Sequence, residues 1–230
     1  MRRPLRTVCV VLAGILTWGC EGSKQPPGAP NTPPAAVFYQ SQGGVSGLPE
    51  TRDAVCTPPD KWQLNVPVKP QETGAWCWAA STQMVLAGPF PNVTVKQQCD
   101  VPSRYFGLTP RGCCAPIPAT CVQGGWPPFD KYGYTWTETP NTALSWAEVK
   151  ENLFCRNQAF AFTWLWDVGG SHMMVGSGYV TDGADQFVCV NNPLPMGSGQ
   201  FYCHSYNEYV SGTNHRHGKD FYNLVKLVKK

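Results

Sequence analysis

The chain predicts an α+β fold of two lobes, a central N-terminal helix packed on an antiparallel β-sheet and held by disulfides. Three observations predict it. An apolar run from Cys77 to Ala87 reads as one helix and stops at Gly88-Pro89, a strong breaker. From Gln158 onward, short apolar and aromatic runs follow one another with turn residues between them, the pattern of paired strands. Helix first and sheet second is the order of an α+β domain rather than of alternating βαβ units. The third observation is the cysteine content, eleven in 230 residues, which reads as a disulfide framework.

Residues 1–20 read as a secretory leader. Met1 to Arg6 is basic and Thr7 to Thr17 is apolar, a stretch too short to span a membrane stably. The leader ends in Leu16-Thr17-Trp18-Gly19-Cys20, which is similar to a bacterial lipoprotein box. Cys20 is therefore a candidate for lipidation and membrane attachment. Thr17 and Trp18 depart from that pattern, and plain secretion is the alternative. Residues 21–60 are rich in Pro and Gly and read as an extended tether. Phe38-Tyr39 and Cys56 suggest that part of this run packs on the domain, and a short pro-segment is a second reading of it. Residues 61–230 form the expected folded domain, within a length that suits one domain of about 150 to 180 residues plus leader and linker.

Within the domain, Trp62 to Pro70 reads as an edge strand leading to Gln71. In the helix that follows, Cys77, Ala80, Met84 and Ala87 share one face that can pack inward. The stretch from Cys99 to Pro128 has little periodicity, so disulfides are expected to order it. Ser145-Trp146-Ala147-Glu148 is a capping box opening a second helix, with Trp146, Val149 and Leu153 on one face. Expected strands then cover Ala159 to Trp166, Met173 to Val180, Gln186 to Val190, Gln200 to Ser205 and Phe221 to Val228. Asp182-Gly183 and Met196-Gly197 are turns between them.

Charge excludes one class of partner. Lys plus Arg number 18 against 15 Asp plus Glu, but Arg2, Arg3 and Arg6 lie in the leader, so the remainder is near neutral. A nucleic-acid footprint needs a basic surface, and none is expected. Setting aside Cys9, Cys20 and Cys77 leaves eight cysteines, enough for four disulfides. Eight allow on the order of a hundred pairings, and the sequence does not choose among them. Adjacent Cys113 and Cys114 are expected to bond to different partners. Such a framework belongs to an oxidising compartment outside the cytoplasm. No C-x-x-C pair points to zinc, and no cofactor is expected.

Chemistry concentrates at Gln71 to Ser81, QETGAWCWAAS. Cys77 stands in the first helical turn, where the positive end of the helix dipole favours thiolate. Six residues earlier, Gln71 can offer its amide as an oxyanion donor. His172 follows Gly169-Gly170 and opens a strand. Asn192 follows another strand and precedes Pro193. Thiol catalysis needs a nucleophile, a base, a group that orients the base, and oxyanion donors. Cys77, His172, Asn192 and Gln71 fit those roles in that order, with Asn191 an open alternative to Asn192. Trp76, Trp78, Trp164 and Trp166 are candidates for either cleft or core, core being preferred for most. His215-Arg216-His217 lacks accompanying carboxylates and reads as a solvated loop rather than a metal site.

At these residues the chain resembles the papain-like cysteine proteases, and most closely their compact bacterial branch. The likeness lies in W-C-W-A-A-S at Trp76 to Ser81, GGSHMMV at Gly169 to Val175 and NNPLP at Asn191 to Pro195, and extends roughly over residues 62 to 230. It implies a papain-like two-lobed fold and a monomeric peptidase that acts on a protein or peptide substrate without metal or cofactor. In that reading Cys77 is the nucleophile, His172 the base, Asn192 its orienting partner and Gln71 an oxyanion donor. Two alternatives share the residues: a transglutaminase-like acyltransferase or cell-wall peptide amidase with the same nucleophile, and a non-catalytic, disulfide-rich surface binding protein.

Overall fold

A computed structural model describes residues 56–228. The leader, Cys20 and most of the tether lie outside the described residues. The observed fold is a mixed helix and antiparallel-sheet structure. In chain order it runs β1 (Lys61–Gln63), α1 (Cys77–Ala87), α2 (Asp100–Tyr105), β2 (Tyr134–Glu138), α3 (Trp146–Lys150), β3 (Phe160–Trp166), β4 (Ser171–Asp182), β5 (Asp185–Asn192), β6 (Gln200–Ser205), α4 (Tyr206–Val210) and β7 (His215–Lys226). The seven-stranded sheet has the order β2-β7-β3-β4-β5-β6, with β1 paired to the far half of β4.

The central strand of this sheet is β3. Its sequence, FAFTWLW, is apolar almost throughout, and six of its seven residues are buried. A strand covered on both faces reads as a continuous apolar run rather than an alternating one. Strand β4 is long enough to pair with β3 through its first half and with β5 and β1 through its second, with a register shift between Gly176 and Gly178. Helix α1 packs across β4 and β3.

Several elements differ from expectation. Helix α1 is buried on every side rather than along one face: Cys77 through Leu86 are all buried. Its polar members are accommodated locally, Thr82 donating to the Trp78 carbonyl at 2.7 Å and Gln83 to the Val95 carbonyl at 2.8 Å. The expected Trp62 to Pro70 strand contracts to three residues, because Pro67 and Pro70 have no N–H to give a ladder. Strand β2 carries no signal in its short, mixed sequence, and helix α4, unexpected, opens at its N-cap Ser205, whose Oγ accepts the Glu208 N–H at 3.1 Å. Strand β7 begins six residues earlier than expected, at His215. It therefore takes in His215-Arg216-His217, where the two histidines are buried instead of lying in a solvated loop.

The eight cysteines form four disulfides: Cys56–Cys155, Cys99–Cys114, Cys113–Cys121 and Cys189–Cys203. Neighbours Cys113 and Cys114 do take different partners. Two of the bridges tie down the irregular stretch after α1. That stretch is also clamped to α1 by indole hydrogen bonds, from Trp76 Nε1 to the Cys121 carbonyl at 2.7 Å and from Trp78 Nε1 to the Gln123 carbonyl at 3.1 Å. Both tryptophans are fully buried, so they belong to the core and not to a cleft wall. Trp164 is buried as well, and Trp166 is half-buried. The capping box forms as read, Ser145 Oγ accepting from the Glu148 N–H while Glu148 accepts from the Ser145 N–H.

Candidate active site

The two indole anchors set the first turn of α1, and Cys77 is its first residue. Its sulfur faces the start of β4, where the Met173 N–H points to Sγ at 3.3 Å. A backbone donor on sulfur, added to the helix dipole, favours thiolate over thiol. Cys77 is itself held in a disulfide. That differs from the expectation of an unpaired Cys77, and nucleophilic chemistry there starts from the reduced form.

His172 is the second residue of β4. The strand is entered from β3 through a tight turn in which Gly169 and Gly170 take φ of 93° and 83°, a region glycine enters freely. The imidazole is 2% exposed. Its Nε2 meets Asn192 Oδ1 at 2.7 Å, while Nδ1 has no partner among the described residues. Burial pushes the His172 pKa down to about 4, partly offset by the bond to Asn192. In this environment the ring is neutral at pH 7.

Asn192 closes β5. Its Oδ1 also accepts the Leu194 N–H at 2.9 Å, and its Nδ2 donates to the Tyr202 hydroxyl at 3.0 Å. Asn191 points elsewhere. It accepts from Ser177 Oγ and donates to the Val66 carbonyl at 2.9 Å, tying the segment before α1 to the sheet. Of the two asparagines, only Asn192 contacts the histidine.

Gln71 is buried, with its Nε2 on the Thr73 carbonyl at 2.8 Å and its Oε1 unpartnered among the described residues. Its backbone N–H reaches the Pro193 carbonyl at 3.0 Å, joining the approach to α1 with the loop after Asn192. A residue that sequence reasoning misses fixes this approach. Gln98, buried, accepts from the Glu72 N–H at 2.8 Å and donates to the Pro70 carbonyl at 3.0 Å, bracketing Gln71. A lone Gln in an irregular stretch carries no sequence signal for this role. Tyr202 and Met174, on expected strands, are missed because only strand pairing brings them to Asn192.

Metal chemistry finds little support among the described residues. Cys99, Asp100 and Cys114 lie close enough to share an ion, but both sulfurs are engaged in their mutual disulfide. His215 and His217 are each engaged by separate partners within the core. His215 Nε2 meets the Glu208 carbonyl at 2.9 Å, and His217 Nε2 meets Asp220 Oδ2 at 2.9 Å.

No protein-family model matches the chain, and no curated protein matches it. Among solved structures, one concerning the limited antibody cross-reactivity between the mite allergens Blo t 1 and Der p 1 is similar to it. The TM-score is 0.46 and the identity 11%, over 75% of this chain and 73% of that chain. At that level the likeness carries nothing about chemistry.

Proposed function

We propose that this chain is a papain-like cysteine peptidase that hydrolyses peptide bonds. The observation that carries the reading is the His172 Nε2–Asn192 Oδ1 bond of 2.7 Å, which leaves Nδ1 of a buried imidazole without a partner among the described residues. Asn192 Oδ1 can only accept, so Nε2 carries the hydrogen and Nδ1 keeps its lone pair. A neutral ring oriented in this way is a base with a single free position.

With Cys77 reduced, Nδ1 takes the thiol proton and the thiolate attacks the scissile carbonyl carbon. A carbon–sulfur bond forms, and the carbonyl electrons move onto oxygen. The second Gln71 amide hydrogen and the Cys77 backbone N–H serve as oxyanion donors. The imidazolium returns its proton to the leaving amine as the carbon–nitrogen bond breaks. Water, deprotonated by the same ring, then cleaves the thioester. The low pKa of His172 describes the ring without a thiolate opposite. An adjacent negative charge favours imidazolium and raises it. Four disulfides among the described residues suit an oxidising, extracellular compartment. No described helix is long and apolar enough to cross a membrane.

The test is iodoacetamide alkylation of the protein after mild reduction, at pH 6, with mass spectrometry to locate the adduct and an unfolded casein to report hydrolysis. The expected result is Cys77 alkylated at least ~10-fold faster than a free cysteine, with casein cleaved and both slowed by H172A. Alkylation at the rate of a free cysteine with no cleavage overturns the reading and leaves a binding protein. Incorporation of a labelled amine in place of cleavage would make the enzyme an acyltransferase.

A further inference from the structure

We propose that Tyr202, held by Met174, is a positioning residue that fixes the amide of Asn192 and through it the tautomer of His172. The inference rests on the reading of His172 as the base, and adds the device that aims it.

The placement follows from strand register. Asn192 pairs with Gln200 across β5 and β6, so Tyr202 is its diagonal neighbour on the same face. Val175 pairs with Asn191 across β4 and β5, so continuing that register sets Asn192 opposite Met174 and diagonal to His172. Side chains of His172, Met174, Asn192 and Tyr202 thus share one sheet face in a row across three strands. The Cys189–Cys203 disulfide joins paired residues of β5 and β6 and cross-links the two strands one residue before Tyr202's own partner, Val190.

The hydrogen-bond directions then become determinate. A thioether sulfur has no hydrogen to give. Tyr202 OH lies 3.4 Å from Met174 Sδ, so its hydrogen goes to sulfur and its lone pairs face Asn192. Nδ2 of Asn192 donates to that oxygen at 3.0 Å. From the other side, the Leu194 N–H can only donate, and it meets Asn192 Oδ1 at 2.9 Å. Both neighbours impose the same orientation, with Oδ1 toward His172. Were the amide reversed, Nδ2 would face Nε2, the ring would hold its hydrogen on Nδ1, and the lone pair needed at Cys77 would be lost. Burial lifts the Tyr202 phenol to about 12, which keeps its hydrogen in place at working pH.

The experiment compares wild type with Y202F and M174L, each reduced, by kinetics and by the ring 15N chemical shifts of His172. Phenylalanine keeps the ring that packs edge-on to His204 at 4.5 Å and removes only the oxygen. The expected result is a fall in kcat of about 5- to 100-fold with KM little changed, and a fall of smaller size in M174L. The 15N shifts should report hydrogen on Nε2 in wild type and a partial move to Nδ1 in Y202F. Wild-type kcat and an unchanged tautomer in both variants would overturn the proposal. The nitrogen shifts separate this failure from that of the peptidase reading. A wild type that does not cleave peptides but whose His172 tautomer moves in Y202F would sink the activity and keep the positioning role.

Discussion

Two buried histidines lie opposite the same residue. Trp164, on β3, pairs with His172 across β4 and with His217 across β7. They sit in one sheet, within one core, yet their surroundings are opposite. His217 has both nitrogens engaged, Nδ1 with the Tyr209 carbonyl at 3.1 Å and Nε2 with Asp220 Oδ2 at 2.9 Å. Asp220 is fully buried and also accepts from Tyr209 OH at 2.5 Å, Thr139 Oγ1 at 3.1 Å and the Leu144 N–H at 3.0 Å. Nothing in that network is left to react. His172 is served on one side only, by a neutral amide, and its other nitrogen is unpartnered among the described residues. Burial alone does not mark a reactive histidine. An unfilled position on a buried ring whose other side is held is the feature on which the proposed role of His172 rests.

Exchanging the consequences of the two sites tests this contrast, and the largest effects come first. H172A should lower peptide hydrolysis by about 10²- to 10⁴-fold, the usual span for a removed general base. D220A should destabilise the protein by about 3 to 5 kcal/mol in urea unfolding, because it strands the remaining members of a buried hydrogen-bond network. H172A should cost less than half of that in stability. If D220A is as stable as wild type, the network at His217 is not the structural member of the pair.

Acid should act on the same contrast. His172 and His204 are both pushed down to about 4 by burial, His204 also by the charge of His215. Unfolded, each titrates near 6.5. Between those values the unfolded chain binds protons that the folded one refuses, so stability is fully present above about pH 6.5 and is lost as pH falls toward 4. Urea midpoints for Cys77→Ser, which removes any thiolate at the start of β4, should drop over that window. His204→Phe in the same background should flatten the drop. A midpoint that does not change between about pH 7 and 4.5 would contradict the neutral state of both rings.

The smallest effect gives the scale for the others. Ser145→Ala removes an exposed capping box whose hydrogen bonds stay within the first turn of α3, and thermal unfolding should register a loss of about 1 kcal/mol with hydrolysis unaltered.

Local signals in the sequence account for much of this molecule. Gly88-Pro89 stops α1 and the capping box at Ser145 opens α3, each acting through residues a few positions away. The even set of eight cysteines closes on itself as four bridges. Other features are not legible because their causes are remote. Pro67 and Pro70 are visible, but the shortening of β1 depends on which strand it meets. His215 and His217 look like a polar, solvated pair, since no local pattern announces that Tyr209, Asp220 and Trp164 will close around them. The choice between Asn191 and Asn192 is of the same kind. Adjacent residues on a strand face opposite ways, and only pairing with β4 and β6 decides which one meets the histidine.

By itself, the sequence determined the helix that begins at Cys77, marked Cys77, His172 and Gln71 as candidates for chemistry, and supplied the eight cysteines that pair among themselves. These depend on residue type and on neighbours a few positions away. Tertiary structure decided which asparagine reaches His172, which nitrogen of that ring stays open, and which other histidines are sealed into the core. Those outcomes are set by hydrogen bonds between residues far apart in the chain, and such bonds exist only once strand register and helix packing have fixed both partners.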